Sequence, residues 1–348
     1  MSLFNYVGQG YQVYKVDSMD LTQELTVSMR ELSVFRDENV GWVYRLNKDL
    51  SPLVVKTNSD YSCIGKYIYG PEEQITSDSQ FLLRTAFECR FCYESIVSLH
   101  AACVEKDGFA VAFTGNSGMG KSTRAKAWVD HLGAEWISGD RPAVRLEKDG
   151  STACGVPWDG KEQIFRDVER PLKAILEVRR SSLNYLRKLS PEQARALLMR
   201  QSFVPMWDTD AAVMAMANVR GLIKRTPVYR VFCGPDGISA EEIYDILFNH
   251  PEKIMEEAEE MKIKDGFVLR NVVDEFIVMP TGDNIAKFDG AVVLNEVSAF
   301  VFEQLKHAVS REDLLMAVLN EFEVDEATAK KDLDALLEQF MAMGLIDA

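Results

Sequence analysis

A chain of 348 residues with 47% hydrophobic and 27% charged side chains has the balance of a globular protein of two or three domains. No apolar run approaches the roughly 20 residues that span a bilayer, and the opening MSLFNYVGQGYQVYK lacks the basic and apolar blocks of a secretory signal, so no membrane role and a cytoplasmic location are expected. The net charge of −15 is concentrated in residues 251–348, where 22 Asp+Glu face 9 Lys+Arg; such a surface repels nucleic acid and anionic lipid and favours a basic peptide or protein partner.

Residues 1–95 begin with short strand-like runs, YQVYKV, VGWVYRL and SPLVVKT, set between polar turns. The apolar stretch QFLLRTAFECRFCYESIVSLH that follows reads as a helix. It carries Cys89 and Cys92 as a lone C-x-x-C, without the second pair or nearby histidines that a zinc site needs. Cys63, Cys103, Cys154 and Cys233 are scattered, so all six thiols are expected to be reduced and mostly buried.

Residues 96–250 alternate strands and helices: ACVEKDGFAVAFTG, a helix from Lys121 to Leu132, then EWIS and AVRLE, the order of an α/β sheet. Residues 251–262, PEKIMEEAEEMK, read as a charged helical linker. Residues 263–348 supply three β-rich runs, GFVLRNVV, EFIVMPTG and AVVLN, then helices at about 296–308, 311–322 and 326–343. Ser310 and Asp313 suit a capping box on the second of these helices. The third places Leu333, Leu336, Leu337, Phe340 and Met341 on one face, and Gly344 ends it. Three strands and three helices in so short a span predict a winged-helix-like α+β domain; a DNA-binding winged helix would want Lys and Arg on its exposed helix, and the local charge is acidic.

The strongest chemical signal is GFAVAFTGNSGMGKST, which contains Gly115-x-x-x-x-Gly120-Lys121-Ser122, a full Walker A pattern between a predicted strand and a predicted helix. Glycines let successive backbone N–H groups curl around phosphates, and the helix N-terminus adds a favourable dipole. Lys121 offers a point charge to the β and γ oxygens, and the Ser122 hydroxyl suits Mg²⁺. Gly115, Asn116, Ser117, Gly118, Met119, Gly120, Lys121, Ser122 and Thr123 are therefore expected to bind ATP or GTP; the loop reads phosphates and leaves the base open. In EWISGDRPAVRLE, Asp140 ends a short apolar strand and reads as the metal-associated carboxylate, with a turn-forming Asp as the alternative. Arg141 beside it reads equally as a phosphate neutraliser or a surface arginine.

These residues, SLHAACVEKDGFAVAFTGNSGMGKST, WISGDRPAVR and GVPWDGKE, resemble the catalytic domain of the HPr kinase/phosphorylase family over roughly residues 96–235. The resemblance implies phosphate transfer from a nucleotide to a serine hydroxyl of a protein or peptide. It also implies a role for His100 at the head of the strand pair; taken alone, His100 reads as a core histidine. Asp140 matches the second Asp of the family's pair, which implies metal binding or activation of the acceptor hydroxyl. Two positions depart from the pattern. Gly139 stands where the first Asp would be, and the loop begins Gly-Asn rather than Gly-Asp. Trp158, Asp159 and Lys161 have no family equivalent and read as a lid or as a plain turn.

The C-terminal segment, GFVLRN, EFIVMP, AVVLNEVSAFVFEQL and DLDALLEQFMAMGLID, resembles the PqqD-like peptide-recognition domain. That resemblance implies a partner, the leader part of a ribosomally made precursor peptide, bound as an added strand beside the third strand and packed on the last helix. The leading expectation is thus an α/β P-loop kinase, HPr kinase-like, with an N-terminal β-rich segment and a peptide-recruiting C-terminal domain. A nucleotide-gated chaperone presenting the precursor to a separate peptide-modifying enzyme is the second. A small-molecule kinase acting on free serine or a similar metabolite is the third.

Overall fold

The computed structural model describes residues 2–17, 24–29, 31–37, 41–47, 53–69, 76–158, 164–180, 184–233, 237–256, 258–272, 275–285, 290–307 and 309–346. They divide into two compact units, one of Met1–Arg180, Tyr185–Phe232 and Ile238–Met255, the other of Ser181–Asn184, Cys233–Gly237 and Glu256–Ala348. Asp159 and Lys161 lie outside the described residues.

The first unit opens with α1 (Leu3–Gln9), whose Ser2 side chain caps it by accepting from the Asn5 N–H. Six strands follow: β1 (Gln12–Lys15), β2 (Glu24–Ser28), β3 (Leu32–Asp37), β4 (Gly41–Leu46), β5 (Leu53–Thr57) and β6 (Ile64–Ile68). Their order is β1-β6-β5-β4-β3-β2, antiparallel from β2 to β6, with β1 closing on β6 in parallel. The central strands are apolar and buried, and α2 (Thr76–Tyr93) is the expected apolar helix only as far as Tyr93; the end of that stretch, Ile96–Ser98, turns into a strand instead. Cys89 and Cys92 are buried in α2, with the Cys89 Sγ 3.5 Å from the Tyr44 hydroxyl. Burial pushes the Cys92 thiol up to about 12, so the C-x-x-C is packing rather than redox chemistry.

Trp158 is a core residue, neither lid nor turn: its ring sits 6.0 Å from Phe87 and 5.9 Å from Phe91 of α2. With Ala143, Cys154, Val156, Ala211 and Ala215 it joins the same apolar cluster as Tyr44, Leu53, Val55 and Leu82. Each such large side chain contributes about 1.5–3 kcal/mol by leaving water.

The central sheet begins with β7 (Ile96–Ser98), β8 (Ala101–Lys106) and β9 (Phe109–Thr114), then α3 (Lys121–Leu132) and β10 (Glu135–Ser138). It continues with β11 (Ala143–Glu147), β12 (Gly150–Cys154), β13 (Glu169–Arg180) and β14 (Tyr185–Lys188). Helices α4 (Pro191–Gln201), α5 (Thr209–Ile223) and α6 (Ala240–Phe248) flank β15 (Val228–Cys233). The order is β10-β8-β9-β13-β12-β11-β7, with β15 beside β13 and β14 beside β15. β9 runs antiparallel to β8 and parallel to β13, from Leu172↔Ala110 to Glu177↔Thr114. Flanked on both sides, β9 is buried from Ala110 to Thr114, which is why AVAFT is an unbroken run rather than an alternating one.

The described residues of 251–262 do not form the expected helix. Pro251–Lys253 is one 3-10 turn, and Met255 pairs with β14, donating its N–H to the Leu186 carbonyl at 2.9 Å and accepting from the Lys188 N–H at 2.9 Å. Glu260–Met261 is a short strand, β16. Glu256 stands three and four positions before Glu259 and Glu260, a spacing at which like charges disfavour a helix.

In the second unit β17 (Phe267–Val272), β18 (Glu275–Pro280) and β19 (Val292–Leu294) form an antiparallel meander. Then come α7 (Glu296–Gln304), β20 (Val309–Ser310) on β16, α8 (Arg311–Glu321) and α9 (Glu326–Ala342), within a few residues of the predicted helices. Leu333, Leu337 and Phe340 of α9 are buried against Val301, Phe302 and Leu314, with Leu336 and Met341 partly buried beside them. Gly344, at φ 71, follows the helix end as expected. The capping box is present: the Asp313 N–H donates to Ser310 Oγ at 3.1 Å, and the Ser310 N–H donates to Asp313 Oδ2 at 3.3 Å. Ser310→Ala is therefore expected to cost about 1–2 kcal/mol, read as a lower urea midpoint at unchanged slope, because a buried N–H loses its acceptor.

Candidate phosphate-binding site

β9 delivers the chain to the loop 115–120, and α3 begins at Lys121. Gly115 has φ +135, and a Cβ there would meet the Val178 carbonyl of β13 at 3.3 Å. Gly118 and Gly120 have φ of +80 and +93 with open space around the missing Cβ, so backbone conformation rather than room requires glycine. Gly120 is the N-cap of α3 and offers no side-chain cap, which leaves the first-turn N–H groups of the helix for a ligand. Asn116, Ser117, Gly118, Ser122 and Thr123 are exposed; Met119 and Lys121 are half-buried.

The Lys121 ammonium folds back on the loop, donating to the Gly115 carbonyl at 3.0 Å and the Asn116 carbonyl at 3.4 Å. Partial burial lowers its pKa, and the charge of Asp140 opposes that shift. Asp140 lies between β10 and β11, and its carbonyl accepts from the Ala101 N–H at 2.9 Å, which fixes the turn against β8. His100 precedes β8. Its Nε2 is 3.3 Å from Asp140 Oδ1, and its Nδ1 is 3.2 Å from Gln201 Oε1. Thr114 at the end of β9 donates to the His100 carbonyl at 2.9 Å, tying the histidine to the strand that carries the loop. The fold thus brings His100, Lys121, Asp140 and residues 115–123 to one place.

The hydrogen bond from His100 and the charges of Arg141 and Arg84 hold the Asp140 carboxyl below its usual 3.8. A depressed carboxyl contributes stability that is fully present above its ordinary pKa and is lost as pH falls through the lowered one. The stability deficit of Asp140→Asn is accordingly expected to be full at about pH 5 and to shrink below about pH 3.8, as measured by chemical denaturation across that range.

Two groups around this site carry no motif in the sequence. Glu88 of α2 is buried; it accepts from Ser98 Oγ at 2.6 Å and lies 3.6 Å from Arg141 Nη1, whose Nε is 3.9 Å from Asp140 Oδ2. The N-terminal region therefore supplies a buried acid that anchors the arginine beside Asp140. Glu177 of β13 is also buried, in register with Thr114, and accepts from Arg230 at 2.7 Å and from Arg179 at 2.8 Å. Its only signal in LKAILEVRR is a charge inside an apolar strand.

Among the described residues no group of three or more His, Cys, Asp or Glu is placed to hold a metal ion, and no helix is long and apolar enough to cross a membrane.

No curated protein matches the chain. Among solved structures it is similar to the Hpr(Ser) kinase/phosphatase from Coxiella burnetii, at 12% identity over 45% of this chain and 97% of that one, with a TM-score of 0.25. It is similar as well to TbiB1 in complex with the TbiA(beta) leader peptide, at 22% identity over 25% of this chain and 95% of that one, with a TM-score of 0.22. Residues 275–346, from β18 to the end of the described chain, match the family described as Coenzyme PQQ synthesis protein D (PqqD).

Proposed function

We propose that the chain is an ATP-dependent, P-loop phosphotransferase that acts on a hydroxyl of a ribosomally made precursor peptide, recruited through its PqqD domain. The observation that carries the reading is the convergence of Lys121, Asp140 and His100 on the uncapped start of α3. The match of residues 275–346 to PqqD supports the peptide, and the acidity of that segment supports a basic one.

In this mechanism the loop N–H groups and the α3 N-terminus receive the phosphates of ATP or GTP. Lys121 exchanges the Gly115 and Asn116 carbonyls for β and γ oxygens. The Ser122 hydroxyl and the Asp140 carboxylate, hard oxygen donors, would hold a magnesium ion, which would supply charge neutralisation at the phosphates. Asp140 accepts the proton of the acceptor hydroxyl as its oxygen bonds to the γ phosphorus, while the bond to the β-phosphate oxygen breaks and the nucleoside diphosphate leaves. His100, held by Gln201, fixes the direction of the Asp140 carboxylate.

A second reading, a nucleotide-gated chaperone that presents the precursor to another enzyme, is favoured by one observation: Gly139 and Asn116 stand where the resembled kinases carry acids. A free-serine kinase leaves the PqqD domain without a use. Incubation with γ-labelled ATP, Mg²⁺ and the small peptide encoded beside the gene separates them. A peptide heavier by one phosphate supports the kinase; peptide binding with nucleotide hydrolysis and no mass change replaces it with the chaperone.

A further inference from the structure

The second unit contains a groove of about 490 Å³ between the start of α7, the end of α8 and the exposed side of α9. That volume suits one or two side chains rather than a whole folded partner. Its walls are mainly apolar, with Val297, Phe322 and Leu336 among the lining residues beside the polar Asn295, Ser298 and Gln339, and Val297 is 37% exposed. Two exposed carboxylates, Glu323 and Asp332, stand in the same lining, and neither has an ion-pair partner among the described residues. Apolar walls with two uncompensated acids are complementary to a side chain pair, one apolar and one cationic, and repel an acidic segment.

The groove also follows directly in the chain on a strand edge. β19 is the last strand of its sheet among the described residues; it ends at Leu294, and the groove lining begins at Asn295. Val293 on β19 is 60% exposed. The free edge of β19 thus ends one residue before the groove lining starts.

Resting on the reading that this unit binds a precursor peptide, we infer that the groove between α7, α8 and α9 is its selectivity pocket, taking an aliphatic or aromatic side chain of the peptide with an adjacent Lys or Arg held by Glu323 and Asp332. Discrimination lies in this basic–apolar pair, whereas strand addition supplies main-chain affinity that most sequences share.

The test selects a displayed library of random ten-residue peptides on the full chain, then measures recovered peptides in solution. The expected winners carry Lys or Arg beside Leu, Ile or Phe. Their affinity is expected to fall about tenfold in a Glu323→Lys, Asp332→Lys double variant, and to recover when the peptide's own basic residue is exchanged for Glu. Both positions are exposed, so the variant keeps its fold, checked by an unchanged urea midpoint. Winners without basic character, or affinities indifferent to the double variant, overturn the inference while leaving peptide binding intact. Failure to enrich any peptide overturns both.

Discussion

A Lys121→Ala chain is expected to stay folded and to bind ATP about 10- to 100-fold more weakly, since a charge-assisted hydrogen bond to phosphate contributes about 1.5–3 kcal/mol. Phosphoryl transfer should slow further, by about 10²–10³, because the ammonium is aimed at charge that grows in the transition state. Its present acceptors, the Gly115 and Asn116 carbonyls, are parts of the loop itself, so the ammonium is already held at the loop. Lys121→Arg should not restore the rate, because a planar fork does not fit a site shaped for a point charge. Titration with a fluorescent nucleotide reads the binding arm. Unchanged affinity in Lys121→Ala would remove the loop from the nucleotide site.

Arg230→Met should destabilise the first unit by about 3 kcal/mol, the largest change in stability expected here. Arg230 and Glu177 are 4% and 3% exposed and 2.7 Å apart. Taking away the cation leaves a carboxylate that has already given up its water. Arg179, 2.8 Å from the same carboxylate and partly exposed, keeps the cost at the lower end of the range for broken buried pairs. A Glu177→Met, Arg230→Met chain should recover part of the loss, since two thioether chains fill the space without charge. Chemical denaturation of the four proteins gives the coupling; a double variant no better than Arg230→Met would show that Glu177 matters to stability apart from its arginine.

The parts of the site that could be read from the sequence are those whose chemistry is local in the chain. Residues 115–122 declare themselves because glycine, lysine and serine must follow one another to wrap a phosphate. The start of α8 and the end of α9 were legible for the same reason, through the Ser310–Asp313 box and Gly344. Glu88 and Glu177 were not, because their meaning comes from partners 53 and 63 positions away along the chain, at Arg141 and at Thr114 respectively. Trp158 misled for a related reason: a tryptophan in a Gly-Pro-rich stretch looks like loop chemistry until Phe87 and Phe91 arrive from another element. The stretch 251–262 misled through composition, since its Glu and Lys favour a helix one residue at a time while their clustering opposes it.

The cluster that Trp158 shares with Tyr44 and Phe87 limits where this chain can be cut. One apolar core crosses the junction near residue 95, so the N-terminal sheet and the sheet that carries the loop 115–120 are expected to melt as a single cooperative block. Truncation at that junction would strip the cover from Trp158, Ala143 and Val156 and take Glu88 away from Arg141. The expected product is a collapsed, aggregation-prone fragment rather than a smaller folded domain.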